Sequence, residues 1–145
     1  MGICIARFQE SENVARWGVV EDNLVAPLST QFTSHRELMD AFSDDPTSLQ
    51  FEAEAAVPLD ALNLLSPVTA DVQIFCQGLN YASHKKEGGV KTGKGQNLIF
   101  TKPPSSICGP GDDIIRPANC QLLDYEVELA LVLKRDVPAH TEIHQ

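Results

Sequence analysis

Apolar and polar residues alternate along the first part of the chain as they do in half-buried β-strands. Residues 3–8 and 15–20 show this alternation and predict two strands. The polar residues 21–23 then lead into Leu24 and Val25, which predicts a hairpin turn into a further strand.

A helix-start signal follows the predicted hairpin. Ser34 and Glu37 are spaced as in a capping box, in which each side chain accepts a hydrogen bond from a backbone N–H. Apolar residues continue at helical spacing to an Asp-Asp-Pro stop at residues 44–46. This pattern places His35 on the exposed surface of the first turn. Three leucines further along predict a second apolar stripe: Leu59, Leu62 and Leu65.

Short β segments separated by glycine and proline make up the rest of the chain. The predicted strands are residues 73–76, 97–101, 114–115 and 122–133, and the last is the strongest β segment. A Gly-Pro-Gly-Asp turn is predicted at residues 109–112. The whole pattern predicts an α+β fold that is mostly β. It has a small N-terminal α+β domain at residues 1–70 and a second module at residues 71–145, with the break near Ser66-Pro67.

The chain is acidic, and its charge is unevenly divided between these two modules. Its 145 residues carry a net charge of −9, and the 43% of apolar residues suffice for a hydrophobic core. Three basic and eleven acidic residues lie in the first module, against eight and nine in the second. The acidic balance predicts no binding to nucleic acid and none to an anionic membrane surface.

Location and redox state are also suggested by the sequence. The longest unbroken apolar run, residues 129–133, is too short for a membrane span, and the N-terminus does not resemble a signal peptide. We therefore expect a cytoplasmic protein. The four cysteines contain no CxxC pair, which argues against a zinc or redox site. We interpret them as small, partly buried apolar residues in a reducing compartment.

Carboxylates at alternate positions form the first group that could carry chemistry. In a strand over residues 124–129, Asp124, Glu126 and Glu128 lie on one face. Neighbouring anions repel each other, and a hard divalent cation would relieve that repulsion. The ordinary alternative is an edge strand with a solvated acidic face.

A histidine, a glutamate and several lysines form the second and third groups. His84 and Glu87 share a face in a helix capped by Asn80, so the carboxylate could orient the imidazole as a general base. An ordinary surface ion-pair neighbour explains the same spacing. The lysine-bearing stretch 85–102 could close over an anionic substrate or be a solvated linker. Lys102 differs from the other lysines because it stands at a strand end before two prolines.

Four motifs in a fixed order resemble the fumarylacetoacetate hydrolase family. They are residues 78–87 (GLNYASHKKE), 100–103 (FTKP), 109–112 (GPGD) and 124–129 (DYEVEL). The resemblance runs from about residue 73 to residue 135. Residues 1–70 take the position of the small N-terminal domain of many bacterial members. For the second module the resemblance implies an incomplete mixed β-roll of the family type.

The resemblance implies a divalent-metal-dependent hydrolase or isomerase of small 2-oxo or 1,3-dicarbonyl acids. Hydrolysis of a C–C bond in an acylpyruvate or in fumarylacetoacetate is the reaction type expected. Glu126 and Glu128 match the family's E-x-E ligands for Mg²⁺, Mn²⁺ or Ca²⁺. His84 and Glu87 match the pair that activates water or moves a proton, and Lys102 matches a lysine near the anionic substrate.

Further expectations follow from the same resemblance. Asn80 and Tyr81 are expected to bind the substrate together with Lys102. The family's third metal carboxylate, an aspartate, comes from beyond the E-x-E strand, so we expect this chain to be the N-terminal part of a longer, homodimeric enzyme. The alternative is a non-catalytic fragment or assembly module that completes its fold with a partner chain.

Overall fold

A five-stranded antiparallel sheet is the main element of the computed structural model, which describes residues 2–42, 45, 48–78, 98–133 and 136–142. Its strands are β1 (Cys4–Ser11), β2 (Val14–Glu21), β3 (Leu24–Pro27), β4 (Val57–Pro58) and β5 (Leu64–Leu65). They lie in the order β4-β3-β2-β1-β5. The hairpin predicted at residues 21–23 joins β2 to β3 and is confirmed, and β1 and β2 are longer than predicted.

The tight turns of this sheet use residues that tolerate a left-handed backbone. Asn13 connects β1 to β2 with φ 65°, and Asp22 and Asn23 connect β2 to β3 with φ 48° and 64°. Asn and Asp adopt positive φ more readily than other residues with a Cβ. Gly18 lets β3 approach β2 closely, since a Cβ there would lie 2.5 Å from Val25 Cγ1.

The hydrophobic core forms where helix α1 (His35–Phe42) packs on this sheet. Trp17, Leu28 and Leu38 make up its centre, with exposed fractions of 2%, 1% and 3%. Among the described residues, every buried hydrophobic residue lies between Phe8 and Leu38. The stability that comes from burial of apolar surface is therefore concentrated in the first 40 or so residues.

The start of α1 confirms the predicted capping box and extends it by one residue. Ser34 Oγ accepts a hydrogen bond from the Glu37 N–H at 3.1 Å. The Glu37 carboxylate accepts bonds from the Thr33 N–H and hydroxyl, at 2.7 and 2.8 Å. Because these bonds favour the charged form, they lower the pKa of Glu37. The helix ends at Phe42, just before the predicted stop.

Other side chains in this module differ from expectation. His35 is half-buried rather than exposed, because its ring packs edge-on against Trp17 with the ring centroids 6.2 Å apart. The three leucines of the predicted stripe are half-buried, but they do not share one helix. Leu59 begins a 3₁₀ turn (Leu59–Ala61), Leu62 follows that turn, and Leu65 belongs to β5. All four cysteines are free, with Cys76 and Cys120 partly buried and Cys4 and Cys108 exposed.

A two-stranded antiparallel ribbon opens the second module. It pairs β6 (Ile74–Gly78) with β7 (Leu98–Lys102), which confirms the strands predicted near residues 73–76 and 97–101. The predicted turn at residues 109–112 is also confirmed. The Asp112 N–H bonds to the Gly109 carbonyl at 3.2 Å, the Gly109 N–H bonds to Asp112 Oδ2 at 2.6 Å, and Gly111 has φ 85°.

The strands predicted at residues 114–115 and 122–133 are not present. Across the described residues, neither segment pairs with another strand, so their backbone groups have no ladder to complete. Six alternate apolar side chains of the second segment are 51% to 85% exposed: Leu123, Tyr125, Val127, Leu129, Leu131 and Leu133. A strand forms only with a partner, which the alternation of residues does not supply.

The fold class is α+β and mostly β, as predicted. The division at residue 70 and the family-type mixed roll stay predictions. No helix in the described part of the chain combines the length and the apolar character that a membrane crossing needs.

Candidate active site

The acidic motif lies in the unpaired segment at residues 122–133. Asp124, Glu126 and Glu128 are all exposed. Asp124 Oδ1 accepts a hydrogen bond from the N–H of Tyr125 at 2.9 Å, which ties this carboxylate to its own backbone. Exposure alone matches the solvated acidic face, so the ligand role of Glu126 and Glu128 stays a prediction.

The donor chemistry of these two glutamates suits a hard divalent cation. Carboxylate oxygens are the ligands that Mg²⁺ and Mn²⁺ prefer, and residues two apart in an extended chain point to the same side. Within residues 2–42, 48–78, 98–133 and 136–142, no group of three or more His, Cys, Asp or Glu side chains could hold a metal. Glu126 and Glu128 therefore fit such a cation in the kind of donor atom that they offer.

Lys102 has a fixed backbone and an exposed side chain. It is the last residue of β7 and pairs with Ile74 across the ribbon. The next carbonyl, that of Pro103, accepts bonds from Ser106 N–H and Oγ at 2.9 and 2.7 Å, so a 3₁₀ turn follows at once. The predicted strand-end position of Lys102 is confirmed, while its contact with a substrate stays a prediction.

The remaining predicted site residues lie outside the described part of the chain. They are Asn80, Tyr81, His84 and Glu87. The register of the ribbon nevertheless constrains where their segment begins and returns. Gly78 pairs directly with Leu98, so both ends of residues 79–97 meet at the same end of the ribbon.

This register separates Lys102 from the point where that segment begins. Lys102 is four positions after Leu98 in β7, which corresponds to about 13 Å along the strand. His84 is six positions after Gly78, and six residue steps reach at most about 20 Å in a fully extended chain. That His84 and Lys102 act on one substrate stays a prediction, because His84 lies outside the described residues.

The structure also assembles a group of residues that sequence reasoning missed. His35, Thr69 and Asp71 come together at the start of α1, although 34 residues separate His35 from Thr69. No local motif links these positions. The capping box predicted where the helix begins, but only the paths of β1, β2 and β5 bring residues 66–71 beside it.

Comparison with known proteins identifies the second module. The model of the family described as "Fumarylacetoacetate (FAA) hydrolase C-terminal" matches residues 73–144. The oxaloacetate tautomerase Fahd2a, mitochondrial, of Rattus norvegicus is 43% identical over 77 residues. Its human counterpart, FAHD2A, is 42% identical over 77 residues. The fumarylacetoacetate hydrolase domain-containing protein 2 homolog of Dictyostelium discoideum is 36% identical over the same length.

These matches cover only part of each chain. They span 53% of this protein and 24% or 25% of the three relatives. No solved structure matches the chain. Through residues 73–144, the chain belongs to the fumarylacetoacetate hydrolase family, a family whose relatives here are named as enzymes. The resemblance stated from the four motifs is confirmed.

Proposed function

We propose that the chain carries part of the active site of a divalent-cation-dependent enzyme that hydrolyses or isomerises small 2-oxo or 1,3-dicarbonyl acids. One observation carries the proposal: every residue predicted to act in catalysis or binding lies within residues 73–144, the part of the chain that matches the family. Those residues are Asn80, Tyr81, His84, Glu87, Lys102, Glu126 and Glu128.

In this proposal His84 is the general base and Glu87 orients its ring, because a neighbouring carboxylate fixes the tautomer of an imidazole and raises its basicity. In hydrolysis, the base takes a proton from water while the water oxygen attacks the carbonyl carbon. The C–C bond then breaks, and its electron pair leaves as an enolate. In isomerisation, the base takes a proton from the carbon between two carbonyls, and a proton is delivered to the ketone oxygen.

The other residues would stabilise negative charge on the substrate and on the enolate formed from it. Glu126 and Glu128 would hold the cation, which when bound supplies positive charge that stabilises an enolate. Lys102 would bind a substrate carboxylate, and Asn80 and Tyr81 would add polar contacts to the same substrate.

The names of the rat and human relatives suggest a particular class of substrate. Both are called oxaloacetate tautomerases. Oxaloacetate is a 2-oxo acid with two carboxylates, and its keto and enol forms differ by the proton shift described above. We propose a dicarboxylate of this type for the present chain. Both names also say mitochondrial, so the cytoplasmic location stays a prediction, as does the homodimer.

A second candidate function is that of an assembly module without activity of its own. The observation that favours it is the exposure of the apolar face at residues 122–133, where Val127 and Leu131 are each 85% exposed. Apolar patches of this extent mark surfaces that associate with other polypeptides.

One set of assays separates the two functions. The chain is incubated with oxaloacetate or an acylpyruvate, in Mg²⁺ or Mn²⁺ and in chelator, and enol formation and C–C cleavage are followed. The enzyme proposal expects metal-dependent turnover that His84→Ala reduces by at least about 100-fold. Full activity in His84→Ala would remove the proposed base. An assembly module would show neither turnover nor metal binding below millimolar concentrations.

A further inference from the structure

The segment at residues 66–71, which connects β5 to β6, is held against the N-terminal sheet by side chains of two elements. Arg7 of β1 donates from Nη1 to the Ser66 carbonyl at 3.3 Å. His35, the first residue of α1, contributes its ring at 2.7 Å from the Pro67 carbonyl and its backbone N–H at 2.8 Å from Thr69 Oγ1. The family segment begins two residues after Asp71, so these contacts fix where it starts.

The His35 ring lies between this segment and the core. A carbonyl oxygen only accepts, so the Nδ1 facing Pro67 carries the proton and donates. On its other side the ring meets Trp17 edge-on, with an interplanar angle of 68°. Trp17 is itself immobilised, because it is 2% exposed and its Nε1–H donates to the Phe32 carbonyl at 3.1 Å. The imidazole therefore joins a rigid indole to the connecting segment.

Charged side chains from three parts of the chain lie near these contacts. The Thr69 hydroxyl donates to Asp71, and this bond is the main reason that the pKa of Asp71 is lowered, with the charge of His35 a smaller cause. Arg7 stacks its guanidinium over Trp17 at 5.7 Å from the ring centroid. Glu37, in the same helical turn as His35, is bound to Thr33.

The family segment touches the N-terminal sheet at a second place beside the same connection. A Cβ built on Gly109, in the turn at residues 109–112, would lie 3.2 Å from the Leu64 carbonyl oxygen and 3.2 Å from the Ser66 nitrogen. The turn therefore packs against the backbone where the connection leaves β5. Release of residues 66–71 would loosen this contact as well.

We propose that His35 and Thr69 form a latch, a conformational device that holds residues 66–71 on the N-terminal sheet and sets the position of the family segment. With the latch closed, β6 starts from a fixed point. With the latch open, the five-stranded sheet stays folded while the connection and the ribbon move relative to it. The opening is a local event, separate from global unfolding.

Native-state amide hydrogen exchange of the complete chain, read residue by residue by NMR, tests the latch. Thr69→Val removes the acceptor of the His35 N–H and keeps the shape of the side chain. We expect the His35 amide to exchange about tenfold faster, as loss of one hydrogen bond implies. The Val68 and Val72 amides should also exchange faster, while those of β1 and β2 keep their rates.

A second variant and a control complete the test. His35→Phe keeps an aromatic ring beside Trp17 and removes the ring nitrogens, including the Nδ1 donor to Pro67, so it should accelerate exchange at Val68 and Val72. Thr30→Val, at an exposed threonine of the same module, should change none of these rates. Trp17 is the chain's single tryptophan, so an unchanged emission maximum shows that the core is intact.

Two results would overturn the latch. One is unchanged exchange at His35, Val68 and Val72 in both variants. The other is an equal acceleration of these amides and of β1 and β2, which would mean that the connection opens only when the sheet unfolds. If His35→Phe does not fold, Thr69→Val decides the matter alone, because it leaves the ring in place.

Discussion

The five-stranded sheet and the segment at residues 122–133 both carry alternating apolar residues, yet only the sheet buries them. Leu28 is 1% exposed in the core, whereas Leu129 is 81% exposed. The first three strands of the sheet find partners within a few residues along the chain, at the turns after β1 and β2. The later segment has no partner strand in the described part of the chain. Alternation thus specifies a face, and burial of that face requires a second surface.

Leucine truncation gives the largest expected contrast between the two regions. Leu28→Ala leaves a cavity in the core and should cost about 2–5 kcal/mol of the free energy of unfolding. Leu129→Ala removes the same atoms from solvent-exposed chain and should change it by less than about 0.5 kcal/mol. Urea denaturation followed by Trp17 emission measures both. Equal losses would show that residues 122–133 are buried in solution.

Arginine substitution extends the contrast to ion pairs. Arg16, with a side chain 14% exposed, donates to Glu10 and Glu52 at 2.8 and 2.9 Å and to the Leu28 carbonyl at 2.9 Å. The bonds to the two glutamates, that to Glu10 above all, raise the pKa of Arg16. Arg16→Met keeps the apolar stem, removes the donors and should cost about 1–3 kcal/mol in the same denaturation assay.

Arg36 provides the matched control for Arg16. It lies 3.3 Å from Asp136 and thereby joins α1 to the chain beyond residue 133, but the two side chains are 63% and 83% exposed. Exposed pairs of this kind contribute between nothing and about 1 kcal/mol. Arg36→Met should therefore destabilise the protein less than Arg16→Met. The reverse order would mean that the ion pair with Asp136 contributes more to the free energy of unfolding than the bonds of Arg16.

Cation binding tests whether residues 122–133, which are exposed and unlike the sheet, become ordered by a ligand. If Glu126 and Glu128 are ligands, calorimetric titration with Mn²⁺ should show binding that Glu126→Gln or Glu128→Gln weakens by at least about tenfold. The cation would also order the segment, so its amides should exchange more slowly in Mn²⁺. Glu21→Gln, at an exposed carboxylate in β2, should leave the affinity unchanged. Equal affinity in the wild type and a double glutamine variant would exclude the site.

The sequence predicted those features that depend on neighbours along the chain. The β2–β3 hairpin, the Ser34 cap and the turn at residues 109–112 each form from residues fewer than 20 positions apart. The strand at residues 122–133 was predicted from its own pattern and is not formed, because its stability depends on a partner that no local pattern encodes. The pattern likewise predicts an exposed His35, because the Trp17 ring that half-buries it lies on a different element.

The same distinction between local and long-range information applies to the candidate site. The motif order identified the family because each motif is contiguous, and Lys102 was correctly placed at a strand end because prolines stop the ladder. The distance from Lys102 to the start of residues 79–97 needed the register of Gly78 with Leu98, which two separate strands determine jointly. A spacing in sequence could not have supplied it.

The smallest expected effect concerns the pH dependence that Glu37 gives to the sheet module. Its bonds to Thr33 lower its pKa from the usual value of about 4.5, so its carboxylate stabilises the folded state above that pH. The contribution is lost as the pH falls through the lowered folded-state pKa. Glu37→Gln should therefore be less stable than the wild type at pH 7, and the difference should shrink in acid. Urea denaturation at several pH values, with exposed Glu12→Gln as the control, measures it. Equal stability of Glu37→Gln and the wild type at pH 7 would show that Thr33 bonds the amide as well as the carboxylate, so that the cap of α1 depends on shape rather than on charge.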